Sequence, residues 1–442
     1  MRIAILIPVC SRNQPWTTYE DSFLYRAALP SLFRTQSDGY EYTYYIGIDD
    51  DDEFFLENAH HIPGIHVRLR NCQHAPARAW NQLFERAIQD GHDYYFQMAD
   101  DVVIETPGWT ERFVAALQAN GNRGVVGPCH PENYEGRRAR GQQYCLENAF
   151  VHKTHWDIFG FFYPPEIKNW YCDDWITQVY SGTLSLMMED VIVRNLSIRT
   201  AQQRYDVMVP QWKELIYEHR WKTFRGCFSF CLFGEYTDKY YKGLAKNVEV
   251  IRTHFPLWDI HVYAAPEAVT FVRSLDVRCI ETGREGRVNT ILRFESTLDS
   301  SYDVVCVRDT DSRIHVRDRW CIRTFLESPY SLYTVRDHPW HRYKIMCGLW
   351  GIKRGRPLFT RTELMNYCDS IVPEYTSDSK FLNAYLPLHN LLVFSHDPDG
   401  LLAEPGETVV VIQPPVEKNE FCGNVMLFDE AGKEYPEFIV HT

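Results

Sequence analysis

The sequence has no apolar run long enough to cross a bilayer. Its opening run, Ile3 to Val9, falls far short of the roughly 20 residues a membrane helix needs. It ends in Pro8, Cys10, Ser11 and Arg12 without a small-residue cleavage site, so it reads as a first β-strand. The 13 cysteines are scattered, with no CxxC pair and no histidines at metal-ligand spacing, which leaves no zinc-binding pattern and points to reduced thiols. No tract is compositionally biased, which excludes fibrous and disordered chains. Positive charge is in deficit: 46 Lys and Arg stand against 59 Asp and Glu, a net charge of −13. An electrostatic grip on a phosphate backbone is therefore not expected, nor is nucleic acid as a partner.

The chain has 442 residues, 45% hydrophobic and 14% aromatic, enough for two or three domains with sizeable cores. The first half alternates strand and helix patterns: strand Arg2–Pro8, helix Tyr19–Phe33, strands Tyr42–Ile48 and Ile65–Arg70, helix Ala77–Ile88, strand Asp93–Met98. This is α/β logic with a mostly parallel sheet. In such sheets ligands bind beyond the carboxyl ends of strands, and the acids Asp49–Asp52 and Asp100–Asp101 follow strands directly. Arg199–Arg225 reads as a tail helix and connector. The cycle then repeats, with strand Cys227–Phe233, helix Tyr240–Thr253, strand Asp259–Tyr263, and strand Asp303–Arg308 running into Asp309-Thr310-Asp311. Tandem domains of one architecture are expected, at 1–200 and 223–442 with a connector over 201–222.

Asp309 and Asp311 at a strand end repel one another unless a cation sits between them. Oxygen ligands suit Mg²⁺ or Mn²⁺, which usually share coordination with substrate phosphates; capping of a following turn is the plainer alternative. Here the sequence resembles glycosyltransferases of the GT-A fold. The resemblance rests on Phe228–Gly234, Tyr241, Gly243, Asn247, Phe255-Pro256-Leu257-Trp258, Val307–Arg313, Arg336-Asp337-His338-Pro339 and Gly348–Gly351. It implies an α/β fold of two tandem GT-A-like, Rossmann-like nucleotide-sugar-binding domains with mixed, mostly parallel sheets. It also implies a DxD motif in which Asp309 and Asp311 hold Mn²⁺ or Mg²⁺, with His396 as a further ligand. Asp378 would be the sugar-side acid, although Ser379 stands where glutamine is expected. Arg308 would contact the donor; Arg336 and His338 would neutralise phosphate or form ordinary salt bridges.

The first half resembles the inverting, family 2 type. Pro8 and Arg12 lie in the strand and loop under the nucleotide, Asp49 is the strand-end acid that meets the base, and Asn81 lies in the turn and helix beside it. In Gln97-Met98-Ala99-Asp100-Asp101 an alanine opens the acidic motif, so Asp100 would contact ribose and Asp101 the metal, or the metal site is weakened. Asp173 and Asp174 are alternative general bases, with helix capping as the other reading; an acceptor hydroxyl needs such a base for attack with inversion. Asp51, Asp52 and Glu53 are expected in a solvated turn. Among Trp156, Phe159, Phe161, Phe162, Tyr163, Trp170 and Tyr171, core packing is the default for any one, while a few would stack on acceptor sugars.

The expected activity is transfer of sugars from UDP- or GDP-linked donors to an oligosaccharide or glycoprotein glycan, by both domains or by one beside a non-catalytic glycan-binding or scaffolding domain. A sugar nucleotidyltransferase is a further alternative, though Val9–Gln14 lacks the Gly-rich basic loop. The expected setting is the cytoplasm, or the host cytoplasm if the chain comes from a large DNA virus rather than a bacterium assembling surface polysaccharide.

Overall fold

A computed structural model describes residues 1–180, 182–196, 211–338, 341–355, 357–385, 391–395, 407–412 and 421–437. The chain divides into two compact units, Met1–Thr223 and Phe224–Thr442. Each is built on an eight-stranded, mostly parallel mixed sheet, the α/β architecture expected from the sequence.

The strands of the first unit are β1 (Arg2–Val9), β2 (Glu41–Asp49), β3 (Ile65–Leu69), β4 (Tyr94–Gln97), β5 (Val102–Ile104), β6 (Val125–Cys129), β7 (Phe150–His152) and β8 (Ser185–Asn195), in the order β3-β2-β1-β4-β7-β6-β8-β5. Alternate residues of β1 serve opposite faces, as pleating requires: Ala4 and Leu6 join one core, Ile3, Ile5 and Ile7 the other. On the first face lies the helix Pro76–Gln89, which buries Ala77, Trp80, Leu83, Phe84 and Ala87 at helical spacing.

The second unit holds β9 (Gly226–Leu232), β10 (Asp259–Ala264), β11 (Arg278–Glu281), β12 (Val304–Arg308), β13 (Leu332–Arg336), β14 (Leu349–Lys353), β15 (Leu391–Ser395) and β16 (Thr408–Val411), in the order β11-β10-β9-β12-β14-β13-β15-β16. A hairpin of β17 (Met426–Phe428) and β18 (Glu434–Pro436) follows. With the edge strand β5 set aside, both sheets place their first seven strands in the order 3-2-1-4-6-5-7. In both, the sixth strand runs antiparallel to its neighbours.

Two local expectations fail. The helix expected over Tyr19–Phe33 is a 3-10 turn at Tyr19–Asp21, a π turn at Leu24–Ala28 and an α-helix at Leu29–Thr35. Pro30, in the first turn of that α-helix, has no N–H to give, and the hydrogen-bond ladder widens before it. Asp52 is not solvated. It is 3% exposed, accepts from the Ser11 backbone N–H at 2.8 Å and hydroxyl at 2.7 Å, and caps the helix Glu53–Asn58. Of the stretch read as a connector, 197–210 lies outside the described residues, and Trp212–Arg220 is a helix of the first unit.

Gly226 opens the central strand β9 against the Trp258 indole, and a Cβ there would fall inside the ring. Overpacking of this kind typically costs about 1–3 kcal/mol, occasionally more. Gly226→Ala is expected to lower the second unit's unfolding free energy by at least about 2 kcal/mol in urea titration; an unchanged midpoint would contradict this packing.

Candidate active site

The parallel strands β1, β2 and β4 end on one edge of the first sheet, so the residues after them converge. They open a cavity of about 760 Å³ lined by Pro8, Arg12, Asp49, Asp100, Asp101, Asp173 and Asp174, with Ala75, Pro76 and Trp80 from the start of the helix Pro76–Gln89. Seven of the eight first-unit residues singled out from sequence thus share one wall system. The cavity's volume falls within the range of small-molecule sites.

Arg12 meets Asp49 at 2.6 Å and also pairs with Asp51. Burial pushes the Asp49 carboxyl upward, and the hydrogen bond and charge of Arg12 work against that rise. Asp101 follows β4, and its carbonyl accepts from the Leu196 N–H at 2.9 Å, tying the acidic turn to the end of β8.

Asp173 and Asp174 sit in the first turn of the helix Cys172–Val179, where the helix dipole favours negative charge. Their environments differ. Asp174 is gripped in a fork by Arg137, at 2.9 and 3.1 Å. Asp173 has no arginine fork; it accepts from the Cys145 thiol at 3.5 Å, and its pKa is raised by burial and then by Asp174, with Arg137 opposing. Cys145, Glu147 and Asp173 hold potential ligand atoms within 4.8 Å of one another, but burial pushes the Cys145 thiol far up. Its Sγ–H donates to the Asp173 carboxylate.

Asn81 departs from expectation. Its carbonyl accepts from the Phe162 and Tyr163 N–H groups at 3.0 and 2.8 Å, and its amide donates to the Tyr163 carbonyl at 2.8 Å. It latches a loop and does not line the cavity. Phe159 and Phe162 are core, whereas Tyr163, Trp170 and Tyr171 border the cavity, Tyr163 buried and Trp170 52% exposed.

In the second unit Asp309 and Asp311 follow β12. Arg293, 1% exposed, meets Asp309 at 2.5 Å and Asp378 at 3.4 Å, so the buried arginine joins the two acids. Lys239 lies 3.7 Å from Asp311. Burial, and then the Asp309 charge, push Asp311 up to about 6. Asn247 braces the turn, donating to the Ser312 carbonyl at 2.8 Å and accepting from the Ile314 N–H at 3.2 Å. Gly243 leaves the room its helix needs to press on the Thr310 carbonyl, and Gly348 leaves the room taken by the Asp309 carboxylate.

Arg308 is not at this site. Its guanidinium is 1% exposed, forked onto Asp318 at 2.6 and 2.8 Å and bonded to the Tyr333 hydroxyl, so it belongs to the core behind the strand. Arg336 pairs with Glu407 at 2.7 and 2.8 Å. His396 lies outside the described residues.

Sequence reasoning missed Arg137 and Arg293. Each binds an acid distant along the chain, 37 and 16 positions away, and no local motif marks it.

The donor sets fit a hard divalent cation. All the carboxylates are oxygen ligands, and Asp311, whose proton affinity is raised by burial and then by the Asp309 charge, lies close enough to Asp309 for the two acids to repel. Asp101 in the first unit, and Asp309 with Asp311 in the second, are the residues that would hold it.

Residues 26–194, which lie in the first unit, match the family model of glycosyl transferase family 2. No curated protein matches the chain significantly. Solved structures of S. aureus TarS 1–349 in complex with UDP and with UDP-GlcNAc are similar at 12% identity, with TM-scores of 0.33 and 0.36. The alignments cover 50% of this chain and 64% and 66% of those chains, too loose a likeness to carry an argument. Among the described residues no helix is long and apolar enough to cross a membrane.

If Asn81 is a latch, Asn81→Ala removes three hydrogen bonds and leaves buried backbone groups unpaired, at a cost of about 2–4 kcal/mol. Chemical denaturation should register that loss. Unchanged stability with weakened nucleotide binding would instead make it a donor contact.

Proposed function

We propose that this chain is a metal-dependent glycosyltransferase that moves sugars from UDP- or GDP-linked donors to a glycan acceptor, with one transfer site in each unit. The observation that carries the reading is the cavity at the strand ends of the first unit. It gathers Arg12, Asp49, Asp101 and Asp173 in a unit whose residues 26–194 match the family 2 model.

In the first unit, Asp49 and Arg12 face the nucleotide, Asp100 the ribose and Asp101 the metal. Bound Mn²⁺ or Mg²⁺ would screen the diphosphate charge that grows as the donor bond breaks. Asp173 is assigned as the general base, because Arg137 already compensates Asp174, whereas Asp173 has a raised proton affinity and faces the same cavity. The acceptor hydroxyl gives its proton to Asp173 as its oxygen bonds to the anomeric carbon. The bond from that carbon to the diphosphate oxygen breaks on the opposite face, the nucleoside diphosphate leaves with the electron pair, and the configuration inverts.

In the second unit, Asp309 and Asp311 take the metal and Asp378 the sugar side, with His396 kept as a further proposed ligand. A second reading, in which this unit is a non-catalytic glycan reader or scaffold, is favoured by Arg293, whose guanidinium already sits on Asp309. Localisation in the cytoplasm belongs to the same proposal.

The test is release of nucleoside diphosphate from a panel of UDP- and GDP-sugars with Mn²⁺. Asp101→Ala and Asp173→Asn are expected to reduce first-unit turnover by about 10²–10⁴-fold. Asp311→Ala should abolish release from a different donor if the second unit is active, and leave all release intact if it is a scaffold. Absence of any donor cleavage by the unaltered protein with metal and chelator controls would sink the proposal.

The acidic limb of the rate profile should lie above the ordinary aspartate range, since Asp173 must be unprotonated to act and its pKa is raised. Arg137 lowers that pKa, so Arg137→Gln raises it. The base then stays protonated to higher pH, and the limb should move up by roughly one pH unit, with Arg137→Lys restoring most of the shift. A limb that stays in place would remove Asp173 from the role.

A further inference from the structure

Trp170 stands apart from the other aromatics of its segment. Among the described residues no ring packs on it, and it is 52% exposed on the cavity wall, three positions before Asp173. It shares that wall with Asp173 and Asp174, so its indole borders the acids rather than open surface alone.

The backbone holds it there. On one side Asn169, 5% exposed, accepts from the Trp170 N–H and donates to the His74 carbonyl at 3.4 Å. The preceding Lys168 carbonyl accepts from the Ala77 N–H at 3.0 Å. On the other side Tyr171 takes a left-handed conformation, φ 71°, which a bulky non-glycine residue adopts only when its surroundings force it. Its ring is stacked on Trp212, with centroids 5.0 Å apart and planes 5° from parallel, and its carbonyl accepts from the Trp175 N–H at 2.8 Å. Flanked by two fixed neighbours, the indole is presented to the cavity rather than folded into the core that takes Phe159 and Phe162.

We infer that Trp170 is the acceptor platform of the first unit, stacking on the apolar face of a pyranose ring and so selecting a ring sugar over an open-chain polyol. The inference rests on the glycosyltransferase reading of this cavity. The nucleotide side lies at Arg12 and Asp49, while the hydroxyl to be deprotonated must approach Asp173, and Trp170 borders that approach. A sugar ring offers C–H groups to an aromatic face and hydroxyls to the carboxylates around it, matching a wall that is aromatic at Trp170 and acidic at Asp173.

The test uses the full chain with Mn²⁺ and the donor it cleaves fastest. Nucleoside diphosphate release is titrated against p-nitrophenyl pyranosides, with glycerol phosphate as the ring-less comparison. Binding of UDP and GDP, measured by calorimetry, reports whether a variant keeps its donor pocket. Trp170→Ala is expected to raise the half-saturating pyranoside concentration at least tenfold with nucleotide affinity within twofold, and Trp170→Phe to raise it less than threefold. The inference is overturned if half-saturation is unchanged in Trp170→Ala, if no pyranoside stimulates release, or if glycerol phosphate stimulates as well as the pyranosides. Donor cleavage that persists in these cases leaves the glycosyltransferase reading standing. Its absence from the unaltered protein removes both.

Discussion

The architecture depends on gathering carboxylates at the ends of parallel strands without letting them repel one another apart. Charges a few ångströms apart in a partly dry cavity interact by several kcal/mol, so each cluster needs a cation or a proton. This chain supplies arginines at selected points: Arg12 against Asp49, Arg137 against Asp174, and Arg293 between Asp309 and Asp378. Burial outweighs them in places: Asp173 and Asp311 keep a raised proton affinity although Arg137 and Arg293 oppose it. Neighbouring acids thereby sit in different environments, Asp174 in the Arg137 fork and Asp173 beside the Cys145 thiol.

The two units reach this arrangement on the same strand order but by different loops. In the first, the acids are divided between strand ends and the opening turn of the helix Cys172–Val179, facing one another across a cavity. In the second, Asp309 and Asp311 share one turn, braced by Asn247 and crowded by a helix that comes close only because residue 243 is glycine. A common sheet supplies the edge on which ligands can gather, and the segments after the strands decide what chemistry gathers there.

Much of this was legible in one dimension. The β1 strand, read from its apolar run, the helical spacing over Ala77–Ile88 and the second cycle of strand and helix follow from side-chain pattern, which is local. The strand-end acids were legible because a parallel sheet sends the ends of β1, β2 and β4 to the same edge whatever the loops do. Elsewhere local reading misplaced residues. Asp52 looked like part of a wet acidic turn, yet it is a buried cap whose partner, Ser11, lies 41 positions away. Asn81 and Arg308 carried the right chemistry for a ligand and turned out to hold the Phe162–Tyr163 loop and the Asp318 carboxylate.

The sequence by itself determined the α/β layering, the repeated cycle of strand and helix and the acids that follow strands directly, because these follow from side-chain spacing along the chain. Only the tertiary structure decided which acid each arginine would meet, and how deeply Asp49, Asp173 and Asp311 would be buried, which is what raises their proton affinity. It alone separated Trp170 from the buried aromatics around it. Those outcomes depend on distance and burial between residues far apart in the chain, which no local pattern encodes.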